Sequence, residues 1–414
     1  MRFLSGASIC LALAGCATAT EGTRVRDSGT TFVRDAMEEV VEKGFHPGLI
    51  SVLYSDGVQE TALLGYADVE ARRPIAMDQA FQQCSQTKGF CGVTIAKLVE
   101  DGRISLDDPV CKYLPEFSNV VYRAEDDMNW TWVVKRSPTP ITIRMAMNHT
   151  AGFDFELPGK SDRIPGGGWT GGMPLRIAAA EAAGRVLNFE PGTQMRYSNT
   201  GIDVGAAVVE VVSGMKWEDY LRKHVLDPLG MRDTTFWPTE DQIANRINIY
   251  SCETNAPCVK HACEGWAQMP FNDAHVHPSA GAGLWTTAND QLKFYKMLMN
   301  LGVGENGVRI LKEETVKNLL ATSTRPRTAD GKSPLGEYSL GLFCDEKTGW
   351  FGHGGAWGSN CMVNWRTKQL KLSVVQHVGW GWKICGERLE AAQDRFFHAD
   401  FRSMGADAYT GRLK

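Results

Sequence analysis

Between Phe32 and Lys43, the apolar residues Phe32, Val33, Ala36, Met37, Val40 and Val41 share one side of a 3.6-residue period, which predicts an amphipathic helix. Two strands follow, at residues 50–54 and 61–66, with Asp56-Gly57 as the hairpin turn between them. From Gln82 the pattern turns helical again. Residues 89–99 are apolar nearly all round, Lys97 excepted, so this helix is expected to be buried on most sides. Gly102 stops it, and Asp107-Asp108-Pro109 supplies the next turn. Further helices are expected at 177–184, 202–213, 217–224 and 289–301, between loops rich in Gly, Pro and Trp. Strand patterns return at 339–344, 361–366 and 370–377, and an amphipathic helix over 386–398 closes the chain.

Strands at both ends with helices between them predict one discontinuous α+β domain over residues 31–400. Residues 31–75 and 280–400 would build an antiparallel sheet covered by the terminal helices, and 76–279 an inserted, mostly helical lobe. A cleft between sheet and lobe is the natural place for a site. Residues 1–15, 16–30 and 401–414 read as an export signal, a polar linker and a polar tail.

Charge excludes one class of function. The chain carries 44 Lys+Arg against 48 Asp+Glu, a net of −4, with the signs interspersed, so no electrostatic nucleic-acid binder is expected. At the N-terminus, Arg2 precedes an apolar run from Phe3 to Ala14 that is too short to span a membrane comfortably. It ends in Leu13-Ala14-Gly15-Cys16, which resembles a bacterial lipobox, with Cys16 lipidated and anchoring the protein to a membrane of the cell envelope. Ordinary cleavage after Ala17-Thr18-Ala19, giving a soluble exported protein, fits the same stretch. Export permits disulfides. Of eleven cysteines, Cys10 leaves with the signal and Cys16 is lipidated or removed, which leaves an odd nine. Cys252, Cys258 and Cys263, near His261, His275 and His277, lack the Cys-x-x-Cys spacing of structural zinc sites. A disulfide-stapled loop is the expected reading there, and no metal or cofactor is assigned. Cys344 and Cys361, on strands expected to be neighbours, are a candidate disulfide pair.

No Gly-x-Ser-x-Gly elbow occurs, but Cys84-Ser85-Gln86-Thr87-Lys88 places Ser-x-x-Lys at the start of the buried helix. Three residues make almost one turn, so Ser85 and Lys88 share a face at a helix N-terminus, where unpaired N–H groups favour developing negative charge. Burial favours the neutral amine of Lys88, the form that takes a proton. Tyr197-Ser198-Asn199 precedes a helix and His353-Gly354-Gly355-Ala356 adjoins a strand. Separately these are also a helix cap, a turn and a glycine-rich hairpin.

Taken together and in this order, the three motifs resemble the serine hydrolases of the class C β-lactamase and penicillin-binding-protein superfamily. Ile104-Ser105-Leu106-Asp107-Asp108-Pro109-Val110, His149-Thr150-Ala151-Gly152, Asp227-Pro228-Leu229-Gly230-Met231 and Gly281-Ala282-Gly283-Leu284-Trp285-Thr286-Thr287 extend the resemblance. It implies a β-lactamase/transpeptidase-like fold and an acyl-enzyme on Ser85. Lys88 and Tyr197 would move its proton, Asn199 would bond Lys88 or a substrate carbonyl, and the N–H groups of Ser85 and Ala356 would form the oxyanion hole. Gly354 and Gly355 would admit the substrate closely. His353 stands where the family's β-lactamases usually carry the lysine of Lys-Thr-Gly, as a weaker, pH-dependent carboxylate anchor.

That change points to esterase or amidase chemistry on a small ester, amide or peptide. The alternatives are a D-stereospecific peptidase, a β-lactamase, and a catalytically silent peptidoglycan-binding lipoprotein. Trp130, Trp132 and Trp169 are candidates to line an acyl pocket or to pack the lobe, and Trp357 directly follows the expected oxyanion residue. Cys84, beside Ser85, is a geometrically conceivable rival nucleophile.

Overall fold

The computed structural model describes residues 26–27, 31–55, 57–126, 131–155, 173–252, 256–260, 277–321, 337–345, 347–378 and 382–399. The expectations for Cys10, Cys16, Asp56, Trp130, Trp169, His261, Cys263 and His275, and for the signal and the tail, lie outside these residues.

Nine strands among the described residues form the main sheet. We label β1 (Arg26–Asp27), β2 (Gly48–Ser55), β3 (Val58–Asp68), β4 (Glu337–Tyr338), β5 (Phe343–Cys344), β6 (Trp350–Gly354), β7 (Asn360–Asn364) and β8 (Gln369–Val374). The ninth, Arg73–Pro74, pairs with β3. Their spatial order is β1-β3-β2-β8-β7-β6-β5-β4, so strands from the two chain ends meet at β2 and β8. That pair is antiparallel, with Val52 opposite Leu372. Only the β1–β3 pairing in this sheet is parallel.

Successive side chains on β2 point to opposite faces, and both faces are covered. Leu49 and Leu53 pack with Val33, Met37 and Val40 of α1 (Phe32–Glu42) and with Leu389 and Phe396 of a C-terminal helix, Trp382–Phe397. Ile50 and Val52 face the larger core on the other side, among residues of α2 (Thr87–Glu100), α3 (Asn199–Ser213) and α4 (Ala288–Met299). Glu60 of β3 accepts the N–H groups of Phe32 and Val33 at 3.2 and 2.8 Å, filling the orphan donors that open α1. As its apolar pattern predicts, α2 is buried along nearly its whole length, Lys88 included.

Two expectations need correction, and the lobe carries strands the sequence pattern does not reveal. Of the strand expected over 339–344 only 343–344 (β5) forms. Gly341 takes φ +78° and Ser339 N–H bonds Leu342 O, so 339–342 is the turn that folds the chain back from β4 at 337–338. Within the mostly helical lobe, Val121–Asp126 and Thr131–Arg136 form a hairpin, with Val186–Leu187 as a third strand. Trp132 lies on this hairpin, 59% exposed, with the Arg123 guanidinium 5.5 Å above its ring, and not in a buried acyl pocket.

The expected Cys344–Cys361 bond also fails. Cys344 of β5 pairs with Phe351 and Cys361 of β7 with His353, so β6 runs between them. Two strand spacings are roughly 10 Å, beyond disulfide reach. Cys252 and Cys258 do form a disulfide, closing a short loop as expected of that region.

Candidate active site

Ser85 sits on a single 3-10 turn, Cys84–Gln86, that leads straight into α2. Cys84 takes φ +48°, an uncommon conformation for a residue with a side chain, costing on the order of 1–3 kcal/mol and typical of functional turns. The turn leaves Ser85 partly exposed while Lys88, one turn further in, is fully buried. Lys88 Nζ donates to Ser85 Oγ at 3.1 Å, to Asn199 Oδ1 at 2.5 Å and to Gly281 O at 2.7 Å. These three acceptors match the three N–H bonds of an ammonium.

The second element is the cap of α3. Ser198 Oγ accepts the Gly201 N–H at 3.1 Å and donates to Asp154 O at 2.7 Å, fixing the chain just before the helix. This holds Asn199 against Lys88 and sets the Tyr197 ring 4.6 Å from Lys88 Nζ. Burial pushes the Tyr197 hydroxyl well above its ordinary pKa, partly opposed by a hydrogen bond with Ser85. His149 and Phe155 flank the same ring, at 4.5 and 6.0 Å between centroids.

The third element is β6. His353 Nδ1 lies 2.5 Å from Gly354 O, and a carbonyl only accepts, so Nδ1 carries the proton. Nε2 is then an acceptor, with Tyr197 Oη at 3.3 Å and Tyr338 Oη at 3.1 Å. Burial, reinforced by the Lys88 charge, lowers the imidazole pKa to about 3. The pH-dependent anchor expected at this position is therefore absent: His353 is buried and neutral across the physiological range.

Past β6 the chain turns at Gly355, whose N–H bonds Ser359 O at 2.6 Å. A side chain at Gly355 would meet the Gln83 carbonyl at 2.5 Å, so only glycine lets this turn lie against the nucleophile turn. The N–H groups of Ala356 and Trp357 face the Cys84 sulfur. Trp357 is buried on Cys84 and Ile249, and its Nε1–H donates to Gln82 Oε1 at 2.7 Å. Burial pushes the Cys84 thiol up to about 12, which leaves almost no thiolate for a rival nucleophile.

Sequence reasoning missed two supports of this cluster. Asp203, one turn along α3 from Asn199, accepts the N–H groups of Ala280 and Gly281 at 2.7 and 3.2 Å. It thereby aims the Gly281 carbonyl at Lys88, and Gly281 is required because a Cβ there would meet Asn199 at 2.7 Å. The other is Tyr338, on the outermost strand of the sheet, β4. Among the described residues, no three His, Cys, Asp or Glu side chains gather as a metal site.

A sheet drawn from both chain ends, with a Ser–Lys–Tyr cluster where it meets the lobe, defines the class of β-lactamase-like serine hydrolases. The chain belongs to the Beta-lactamase family, whose model matches residues 33–375. Its relatives include Protein Rv1367c of Mycobacterium tuberculosis, 26% identical over 411 residues, covering 89% of this chain and 98% of that protein. Esterase EstB of Burkholderia gladioli is 29% identical over 248 residues, covering 55% of this chain and 59% of that protein. The fold is similar to the solved structure of EstCE1, a hydrolase with promiscuous acyltransferase activity. That match has a TM-score of 0.69 at 23% identity and covers 88% of this chain and 98% of that one.

Proposed function

We propose that this serine hydrolase cleaves neutral carboxylic esters through an acyl-enzyme on Ser85. The observation that carries the reading is His353. A carboxylate-bearing β-lactam or peptide needs a cation at the substrate edge of the strand, and this chain places a buried, neutral imidazole there. The similarity to EstB, named as an esterase, supports the same direction.

In the proposed reaction, Lys88 first releases one proton to water and reacts as the neutral amine. Ser85 Oγ then bonds the ester carbonyl carbon while its proton passes to Lys88 Nζ, and Lys88 reprotonates Tyr197 once Tyr197 has given its own proton to the leaving alcohol. The N–H of Ser85 stabilises the resulting oxyanion, such a donor contributing about 2.7–4 kcal/mol, and the Ala356 N–H joins it by turning from the Cys84 sulfur that it faces at rest. Breaking the C–O bond releases the alcohol, which takes its proton from Tyr197, and water then hydrolyses the acyl-serine. Burial keeps Tyr197 protonated at rest, which suits a donor to the leaving oxygen. Asn199, fully buried, serves Lys88 in this reading and not the substrate.

The test is a panel of short-chain esters, peptides ending in D-residues and a cephalosporin reporter, run on wild type and Ser85→Ala. Ester turnover is expected to dominate and to fall on the order of 10^6-fold in the variant, with loss of fluorophosphonate labelling. Faster turnover of the carboxylate-bearing substrates would overturn the ester reading. Turnover that survives Ser85→Ala would overturn the nucleophile.

A further inference from the structure

Tyr338 lies outside every motif that defines the site, yet its hydroxyl ends 3.1 Å from His353 Nε2. The ring is fully buried, held edge-on by Phe343 at 4.9 Å and against His149 at 4.4 Å. A buried hydroxyl must find an acceptor. Two tyrosines thus compete for one atom, because Tyr197 Oη stands 3.3 Å from the same nitrogen. With Nδ1 committed to Gly354 O, Nε2 has a single in-plane lone pair, and one hydroxyl proton at a time can occupy it.

Tyr338 and Tyr197 are not equivalent competitors. Among the described residues, the Tyr338 hydroxyl has His353 Nε2 as its hydrogen-bond partner. Tyr197 has a second partner in Ser85. We infer that Tyr338 is a positioning residue: by donating to His353 Nε2 it occupies the lone pair that would otherwise draw the Tyr197 proton away from Ser85. Tyr197 is thereby left with its O–H directed at the reacting oxygens, ready to protonate the departing alcohol. This inference rests on the ester-hydrolase reading above.

The consequence depends on the leaving group. An alkyl alcohol leaves poorly without a proton, whereas nitrophenolate leaves without one. In Tyr338→Phe, the Tyr197 proton turns to His353, so kcat/KM for an ethyl ester should fall by about tenfold or more relative to the nitrophenyl ester of the same acid. KM for the nitrophenyl ester and the stoichiometry of Ser85 labelling should stay at wild-type values. In a His353→Ala background the same substitution should leave the ethyl-to-nitrophenyl ratio unchanged, since Tyr338 then has no lone pair to fill.

An unchanged ratio in the single variant, or an equal fall in both backgrounds, overturns the inference and assigns Tyr338 to packing. Should the phenylalanine variant not fold, 3-fluorotyrosine placed at 338 keeps the shape and strengthens the donor. The ratio is then expected to rise, and a ratio that stays or falls overturns the inference. Loss of all Ser85-dependent turnover in wild type would instead remove the ester reading itself, so the two failures are distinguishable.

Discussion

Lys88 and His353 approach the Tyr197 side chain from two different elements, α2 and β6, and both are buried, but the chain equips them oppositely. Lys88 meets three oxygen acceptors, each drawn from a different segment: Ser85, Asn199 and Gly281. His353 meets one carbonyl and two hydroxyls, and the nearby Lys88 charge adds to the cost of protonating it. Burial alone does not decide which group carries charge; the partners do. Lys88 is thus surrounded by acceptors suited to a cation and His353 by partners suited to a neutral ring, a polarity consistent with the proposed ester hydrolysis. The largest effect should come from breaking the charged half. Lys88→Met is expected to lower kcat/KM on the order of 10^3-fold, because the proton path from Ser85 is lost and two buried oxygens lose their donor. His353→Asn should cost much less, and the reverse order would break the comparison.

The neutral half is tested by pH. If His353 were a cationic anchor with an ordinary pKa, affinity for a carboxylate-bearing substrate would be present at low pH and lost as pH rises through about 6.5. With the pKa near 3, KM for such a substrate should stay flat from pH 5 to 8 by this group. Stability should respond instead. His46 and His353 are pushed down to about 3 and His377 to about 4, each chiefly by burial. The unfolded chain binds their protons first, so stability is complete above pH 6.5 and is lost as pH falls toward 4. Each of the three contributes up to about 1.4 kcal/mol per pH unit in that window. Urea unfolding midpoints that stay level from pH 6.5 to 4.5 would contradict the buried, neutral assignment.

The two halves also differ in how much of them the sequence discloses. Ser85 and Lys88 are three residues apart on one turn, so their contact follows from helical geometry without knowledge of the fold. Tyr197 and Asn199 are legible because a capping serine stands between them. Asp203 and Tyr338 are not. The first acts on a loop 77 residues away, and the second works through His353, on a strand two places over in the sheet. Those relations are set by tertiary pairing and leave no local period or spacing. The main sheet and its terminal helices were legible from alternation and periodicity. The hairpin 121–136 was not, since Arg123, Glu125, Asp126, Lys135 and Arg136 blur the alternation a strand displays. The Cys344–Cys361 expectation failed for a related reason: composition locates strands, but strand order decides which of them are neighbours.

The smallest effect concerns two tryptophans that looked alike as sequence. Trp357 fills space beside Cys84 with its indole N–H tied to Gln82, so it shapes the wall next to the nucleophile turn. Trp132 stands on the outer hairpin under Arg123, and its ring faces solvent over most of its area. A surface aromatic of this kind contributes a weak cation–π contact and little buried area. Trp132→Ser should therefore leave kcat/KM for short esters within about twofold and stability within about 0.5 kcal/mol. A loss of about tenfold in kcat/KM for those esters, with unchanged melting, would bring the hairpin into the reaction and extend the site beyond the three elements described.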